Sequence, residues 1–316
     1  YKLYDKIELY IFVTNGGSTM EKTIKFGIFG LGRGSGFYDG VKANNGEVVA
    51  VCDFDEEKLK KAREDHEGIA TYTDFDEFIN HEGLEAVFLC NYFHEHTPYA
   101  IKCFEKGIHV FSECISNGTM AEGVELLRAF EKSNCVYMLA ENYPQMVFNR
   151  EMKKICDGGT LGKILYAEGE YNHPAAPDNH EFNREYVYKI DHWRNYLPRS
   201  YYITHSLAPL MWSTGATPKR VSAMPVYAPM KEIATARRVG DRAAIITTMN
   251  DAGSVFRFTG CGGFGAHHNA YRICGTEGQI ENVRGMDNKV MLRYNAWTKP
   301  ENAEEINFYE PDWNDK

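Results

Sequence analysis

Residues 24–36 read Ile-Lys-Phe-Gly-Ile-Phe-Gly-Leu-Gly-Arg-Gly-Ser-Gly, an apolar run that passes directly into glycines at 30, 32, 34 and 36. That order is expected where a buried strand turns into a helix against a phosphate. Glycine has no Cβ, so the backbone turns tightly, approaches a pyrophosphate closely and aims free helix N-terminal N–H groups at it. The strict dinucleotide fingerprint is G-x-G-x-x-G, and Ser35 stands where its third glycine would be. A second apolar run, Glu47 to Cys52, ends in Asp53, near the ~20-residue spacing at which an acid receives the adenosine ribose. A carboxylate there accepts from the ribose hydroxyls and repels a 2′-phosphate. The next residue is Phe54 and not an arginine, so NAD is expected over NADP.

Working outward, apolar strand-like runs at 24–29, 47–52, 85–90, 108–112 and 135–139 alternate with amphipathic stretches Glu56 to His66, Pro98 to Lys106 and Met120 to Lys132. Alternation of this kind gives a parallel sheet covered by helices. Ligands bind such sheets beyond the carboxyl ends of the strands, which directs attention to Asn91 to His96 and Glu113 to Ile115. After residue 140 the texture changes. A helix, Met146 to Asp157, leads into the long strand-like run ILYAEGEYNH. An irregular aromatic and His-rich segment, Pro174 to Ser200, is longer than an ordinary connection and is therefore expected to be functional. Helix-like Thr204 to Ser213 precedes β-rich runs with turns at Asn250-Asp251, Gly262-Gly263 and Gly275 to Gly278. The expected architecture is α/β: a Rossmann doubly wound parallel sheet over 20–140, then an α+β substrate-binding domain over 141–316 on a largely antiparallel or mixed sheet.

Composition agrees with a globular chain, 43% hydrophobic and 25% charged over 316 residues, long enough for two domains. A net charge of −9 without a Lys/Arg cluster argues against nucleic acid and acidic membrane surfaces as partners. The eight cysteines fall singly, with no CxxC pair, as in a reduced cytoplasmic protein. No apolar run is long enough for a membrane span. The chain starts at Tyr1, whereas Met20 immediately precedes the first expected strand, so residues 1–19 read as a non-native or leader-like extension whose Gly16-Gly17 codons could spell a ribosome-binding purine run.

Several pieces in order carry a family resemblance: the Gly-rich turn, Asp53, His96 seventeen residues before Glu113, Gly107-Ile108-His109-Val110, GGTLGKI at 158–164, Trp193-Arg194, His205 and GTEG at 275–278. From about Thr23 to Asn282 the chain resembles the Gfo/Idh/MocA family of NAD(P)-dependent sugar oxidoreductases. The resemblance implies cofactor contacts from Gly30, Gly32, Arg33, Gly34, Ser35, Asp53, Asn91, His96, Glu113, Trp193 and Arg194. It also implies association through the open sheet face of the second domain. Family members usually continue past a strand like Ile306 to Tyr309 with a loop and a helix, so a chain truncated at its C-terminus is expected.

Departures from the family pattern narrow the reading. Where its dehydrogenases carry Lys-Pro after the conserved Glu, this chain has Cys114-Ile115, and Tyr201 stands at the position of the catalytic Asp. The NAD-dependent retaining glycosidases of the superfamily, with the α-N-acetylgalactosaminidases as reference group, are more similar. They too lack the Lys, and they carry counterparts of Met138-Leu139-Ala140-Glu141-Asn142 and of Tyr202-Ile203-Thr204-His205. Their chemistry oxidises the carbon 3 hydroxyl, acidifies the carbon 2 proton, expels the aglycone, adds water and returns the hydride.

Removing a proton beside a ketone needs a base poised near neutrality. The resemblance makes Tyr202 the candidate base at carbon 2, in competition with Tyr201, and His205 the group at the carbon 3 hydroxyl. Glu141, Tyr171 and His173 are its substrate-facing partners. A plain sugar or polyol dehydrogenase and a non-catalytic NAD-dependent sensor are the alternatives. The triplet His94-Glu95-His96 and the pair His267-His268 invite a metal reading, but no third ligand has compelling spacing and no metal is expected. Cys114 lacks a neighbouring base and reads as packing.

Overall fold

The computed structural model describes residues 22–174, 193, 197–227, 241–286 and 288–312. The proposed leader, Arg194 and most of the irregular segment after Pro174 lie outside the described residues. The chain divides into two compact units, Tyr1–Ala140 and Glu141–Lys316.

The first unit is built on a six-stranded parallel sheet of β1 (Ile24–Phe29), β2 (Gly46–Cys52), β3 (Ala70–Tyr72), β4 (Ala86–Leu89), β5 (His109–Ser112) and β6 (Tyr137–Leu139), in the order β3-β2-β1-β4-β5-β6. This is the doubly wound order. Its direction reverses between β1 and β4, so the turns that follow those strands flank a crevice. Helices α1 (Leu31–Gly34), α2 (Tyr38–Ala43), α3 (Glu56–Asp65), α4 (Phe75–Phe78), α5 (His96–Glu105) and α6 (Met120–Lys132) make the crossovers. The α6 start is a capping box: the Thr119 hydroxyl accepts the Glu122 N–H while Glu122 accepts the Thr119 N–H at 2.7 Å. Helix α5 begins two residues before the expected Pro98, which is tolerated because a first-turn Pro loses only an N–H that has no intrahelical partner. Strand β3 and helix α4 are absent from the sequence reading, since three and four residues are too short to show a period.

The second unit carries α7 (Val147–Asp157) and α8 (Thr204–Thr214) against an eight-stranded sheet. The strands are β7 (Ile164–Asn172), β8 (Pro218–Tyr227), β9 (Asp241–Asn250), β10 (Val255–Thr259), β11 (His268–Gly275), β12 (Gly278–Asn282), β13 (Val290–Tyr294) and β14 (Ile306–Tyr309). Their order is β14-β13-β12-β11-β7-β10-β9-β8, mixed because β10 and β7 run parallel while the other neighbours are antiparallel. Central strand β7 alternates: Ala167, Gly169 and Tyr171 are buried, whereas Tyr166, Glu168 and Glu170 are half-exposed on the opposite face. Glycine is required at 169, where a Cβ would lie 2.0 Å from the Ser206 carbonyl oxygen. That close approach seats α8 on β7 and brings His205 alongside Tyr171. On the other face, Glu168 and Glu170 pair with Arg257, Arg272 and Arg284, and His268 Nε2 lies 3.2 Å from Glu170.

Candidate active site

In the first unit the glycines divide the work differently from the fingerprint. Gly30 has φ +94° and a Cβ there would meet the Cys90 backbone at 2.5 Å, so it makes the tight turn. At Gly32 the nearest atom to an added Cβ is Lys58 Nζ at 3.7 Å, which leaves the open approach a pyrophosphate needs. Gly34 is the packing glycine, since its Cβ would press on Ile28 Cγ2 at 2.3 Å. The third glycine's task has moved forward one position, and Ser35 stands exposed.

Asp53 is buried at the end of β2. It accepts the Leu31 N–H at 2.7 Å on one oxygen and the Asp55 N–H at 2.9 Å on the other, with Lys58 3.7 Å away. The acid thereby ties the Gly-rich turn to β2. Burial, reinforced by Asp53 and Asp74, pushes the Cys52 thiol up to about 12, so it stays protonated. Arg33 reaches from the turn to Glu113, Nε to Oε1 2.6 Å, and the Cys114 N–H donates to the other oxygen at 3.2 Å.

His96 braces the carboxyl-end loops. Its ring faces the Ile115 carbonyl at 2.7 Å and the Asn91 carbonyl at 3.4 Å, while the Asn91 side chain donates to the Glu95 carbonyl at 3.5 Å. Burial lowers the His96 pKa against the pull of those carbonyls, keeping the imidazole neutral. The Arg33 and His96 side chains thus both anchor the Glu113 to Ile115 loop, while the Asn91 side chain closes its own loop onto Glu95. His94 pairs with Glu95 at 3.5 Å.

In the second unit three predicted residues form a chain of hydrogen bonds. His205 Nδ1 lies 2.7 Å from Glu141 Oε1, and His205 Nε2 lies 2.7 Å from the Tyr202 hydroxyl. Tyr202 precedes α8 and His205 sits in its first turn, so a spacing of three places both on one side. Tyr201 shares neither contact. Burial alone would raise the Glu141 carboxyl, but His205 and the Tyr143 N–H outweigh it and hold the group below the usual carboxylate range. An ionised Glu141 only accepts, so Nδ1 carries the proton and Nε2 accepts from the Tyr202 O–H, a tautomer assigned from the partners. The arrangement has the logic of a catalytic triad with a phenol in the nucleophile's place. Both imidazole nitrogens being engaged, the phenol oxygen is the outer member of the relay.

The Tyr171 ring stands perpendicular to His205 at a centroid distance of 4.8 Å and parallel to His173 at 5.7 Å. His173 Nδ1 is 2.9 Å from His267 Nδ1, and His268 bonds Glu170, so both members of that His pair have side-chain partners. Trp193 lies edge-on to Tyr202 at 6.1 Å. The sequence reading missed Tyr143, whose ring stacks on His205 at 4.0 Å, and Tyr271, whose hydroxyl donates to the His205 carbonyl. Neither stands at a motif position, although Tyr143 follows Glu141 by two residues. Among the described residues no helix is long and apolar enough to cross a membrane.

Comparison with known proteins agrees with the fold. Residues 24–141 match the oxidoreductase family GFO_IDH_MocA, NAD-binding Rossmann fold. A glycosyl hydrolase family 109 protein of Shewanella pealeana is 27% identical over 209 residues, covering 60% of this chain and 44% of its own. An α-N-acetylgalactosaminidase of Bacteroides fragilis is 26% identical over 180 residues, covering 52% of this chain and 41% of its own. The chain therefore spans less than half the length of these relatives. Among solved structures, the apo form of a levoglucosan dehydrogenase superposes with a TM-score of 0.76 at 17% identity, over 92% of this chain and 80% of that one. A glycine turn with its three separate steric duties, an acid closing β2 and the doubly wound strand order agree with the match of residues 24–141 to the NAD-binding Rossmann fold of the Gfo/Idh/MocA oxidoreductase family.

Proposed function

We propose that this chain is an NAD-dependent enzyme that acts on a sugar or glycoside by hydride transfer at carbon 3, with redox-neutral glycoside cleavage as the outcome. The observation that carries the reading is the Glu141–His205–Tyr202 relay, in which a phenol is hydrogen-bonded to an imidazole that a buried carboxylate holds. The names of the two relatives above support it, as does Cys114 at the place of the dehydrogenases' lysine. Gly30, Gly32, Arg33, Gly34, Ser35, Asp53, Asn91, His96 and Glu113, with Trp193 and Arg194, are the proposed cofactor residues. The space beside Gly32 and the acid at Asp53 fit NAD. When bound, NAD⁺ supplies the hydride acceptor for carbon 3 and its reduced form the donor that restores it, while the carbon 3 hydroxyl gives its proton through His205 to solvent and regains it by the same route.

The chain's own groups handle protons. Tyr202 passes its proton to His205 Nε2, and Glu141 stabilises the imidazolium that results. The phenolate takes the proton from carbon 2 of the 3-keto sugar. That C–H electron pair forms the carbon 1–carbon 2 double bond as the aglycone departs, and the relay returns a proton to carbon 2 when water has added. Tyr171 and His173 are proposed to face the sugar. The test is an aryl α-N-acetylgalactosaminide panel: aglycone release without accumulation of NADH supports the reading. Accumulation of NADH with turnover favours a plain sugar dehydrogenase, the activity named for the levoglucosan enzyme.

Assembly as a homo-oligomer through the second unit's sheet belongs to the same proposal. Cross-strand register puts exposed Met224, Met249 and Phe308 on the face of β7 that bears Glu168, opposite the face on which α8 packs. That surface combines apolar ends with a charged centre.

A further inference from the structure

We infer that Tyr143 is a positioning residue that aligns both ends of the Glu141–His205 pair, an inference that rests on the relay reading above. Tyr143 opens a 3-10 turn, Tyr143–Gln145, and is buried. Its backbone N–H donates to Glu141 Oε1 at 3.0 Å, the same oxygen that receives His205 Nδ1. Its ring lies on the imidazole at a centroid distance of 4.0 Å and an interplanar angle of 22°. Its carbonyl is anchored by Asn149 Nδ2 at 2.8 Å, and Asn149 is fully buried in α7. One residue therefore holds the carboxylate through its main chain and the imidazole through its side chain, and the first turns of α7 hold that residue.

The consequence is both geometric and electrostatic. A ring stacked on one face of His205, with the Tyr171 ring perpendicular to it at a centroid distance of 4.8 Å, fixes the imidazole plane in which Nδ1 meets Glu141 and Nε2 meets Tyr202. An aromatic face also favours a cation laid on it, so the stack favours the imidazolium formed when Tyr202 gives up its proton. Tyr143 does not compete for that proton: burial pushes its phenol up, with Tyr171 and Asn269 offsetting part of the effect. The ring, and not the hydroxyl, is the working part.

Tyr143→Phe keeps the stack, Tyr143→Leu removes it, and Tyr143→Met serves if the leucine variant does not fold. The first readout needs no substrate. The His205 Nδ1–H, hydrogen-bonded to a buried carboxylate, gives a downfield proton resonance identified by its loss in His205→Gln. That resonance persists in wild type and Tyr143→Phe. In the leucine or methionine variant it is lost to exchange at a temperature where melting curves show the protein folded. On an aryl α-N-acetylgalactosaminide, kcat falls about tenfold in the same variant with KM unchanged, while Phe restores it. A folded Tyr143→Leu or Tyr143→Met protein that keeps the resonance overturns the inference, as does a Phe variant impaired as badly as Leu. If the wild type cleaves no glycoside, the proposed function fails, and the resonance still decides the role of Tyr143.

Discussion

Glu141→Gln removes one negative charge from the relay and leaves a side chain of the same shape. Glu141 and His205 are 6% and 10% exposed at their side chains, so water screens the pair poorly. With charge centres about 4 Å apart and an effective dielectric constant of about 20, the carboxylate stabilises an imidazolium by about 4 kcal/mol. If the rate-limiting proton transfer passes through that imidazolium, kcat falls about a thousandfold. Gln can still accept the Tyr143 N–H, so KM changes little beside kcat, whereas the melting temperature falls near neutral pH, where the ionised carboxylate stabilises the fold. Glu141 has a folded pKa below its unfolded value. Its contribution to stability is fully present above the unfolded pKa of about 4.3 and is lost as pH falls through the lower folded value. Glu141→Gln therefore flattens the acid limb of the melting-temperature profile. A loss of activity smaller than about tenfold in a folded Gln variant refutes the relay, because the charge would then not face a developing cation.

Other outcomes follow from particular contacts. Gly34→Ala forces a Cβ to 2.3 Å from Ile28 Cγ2 and should lower stability by about 1–3 kcal/mol, whereas Gly32→Ala folds normally but binds NADH at least tenfold more weakly; calorimetric melting and fluorescence titration separate the two. Leu210, with no exposed surface in the core beneath the relay, should cost about 2–5 kcal/mol on conversion to Ala, read by urea unfolding. Met224→Asp together with Phe308→Asp should dissociate an oligomer formed on the open sheet face, as sedimentation would show, without changing NADH affinity.

The sequence revealed the nucleotide unit well because each of its demands is local. A glycine at φ +94° and an acid at the end of the next strand are legible as residue types at set spacings. The pair Tyr202 and His205 is legible for the same reason, as they stand three positions apart at a helix start. Glu141 lies 64 positions from His205, and only the family resemblance linked them. Tyr143, Asn149 and Tyr271 act through tertiary stacking and burial, for which an aromatic or amide in a core segment gives no distinctive pattern. The move of the packing glycine from position 35 to 34 depends on where Ile28 meets the helix, and spacing alone does not contain that contact.

The most direct measurement is solvent deuterium incorporation at carbon 2 of an aryl α-N-acetylgalactosaminide. The account predicts deuterium at carbon 2 with wild-type protein, and at least a hundredfold slower incorporation with Tyr202→Phe, in proportion to the loss of aglycone release. Turnover without deuterium at carbon 2, or incorporation undiminished in Tyr202→Phe, would contradict it.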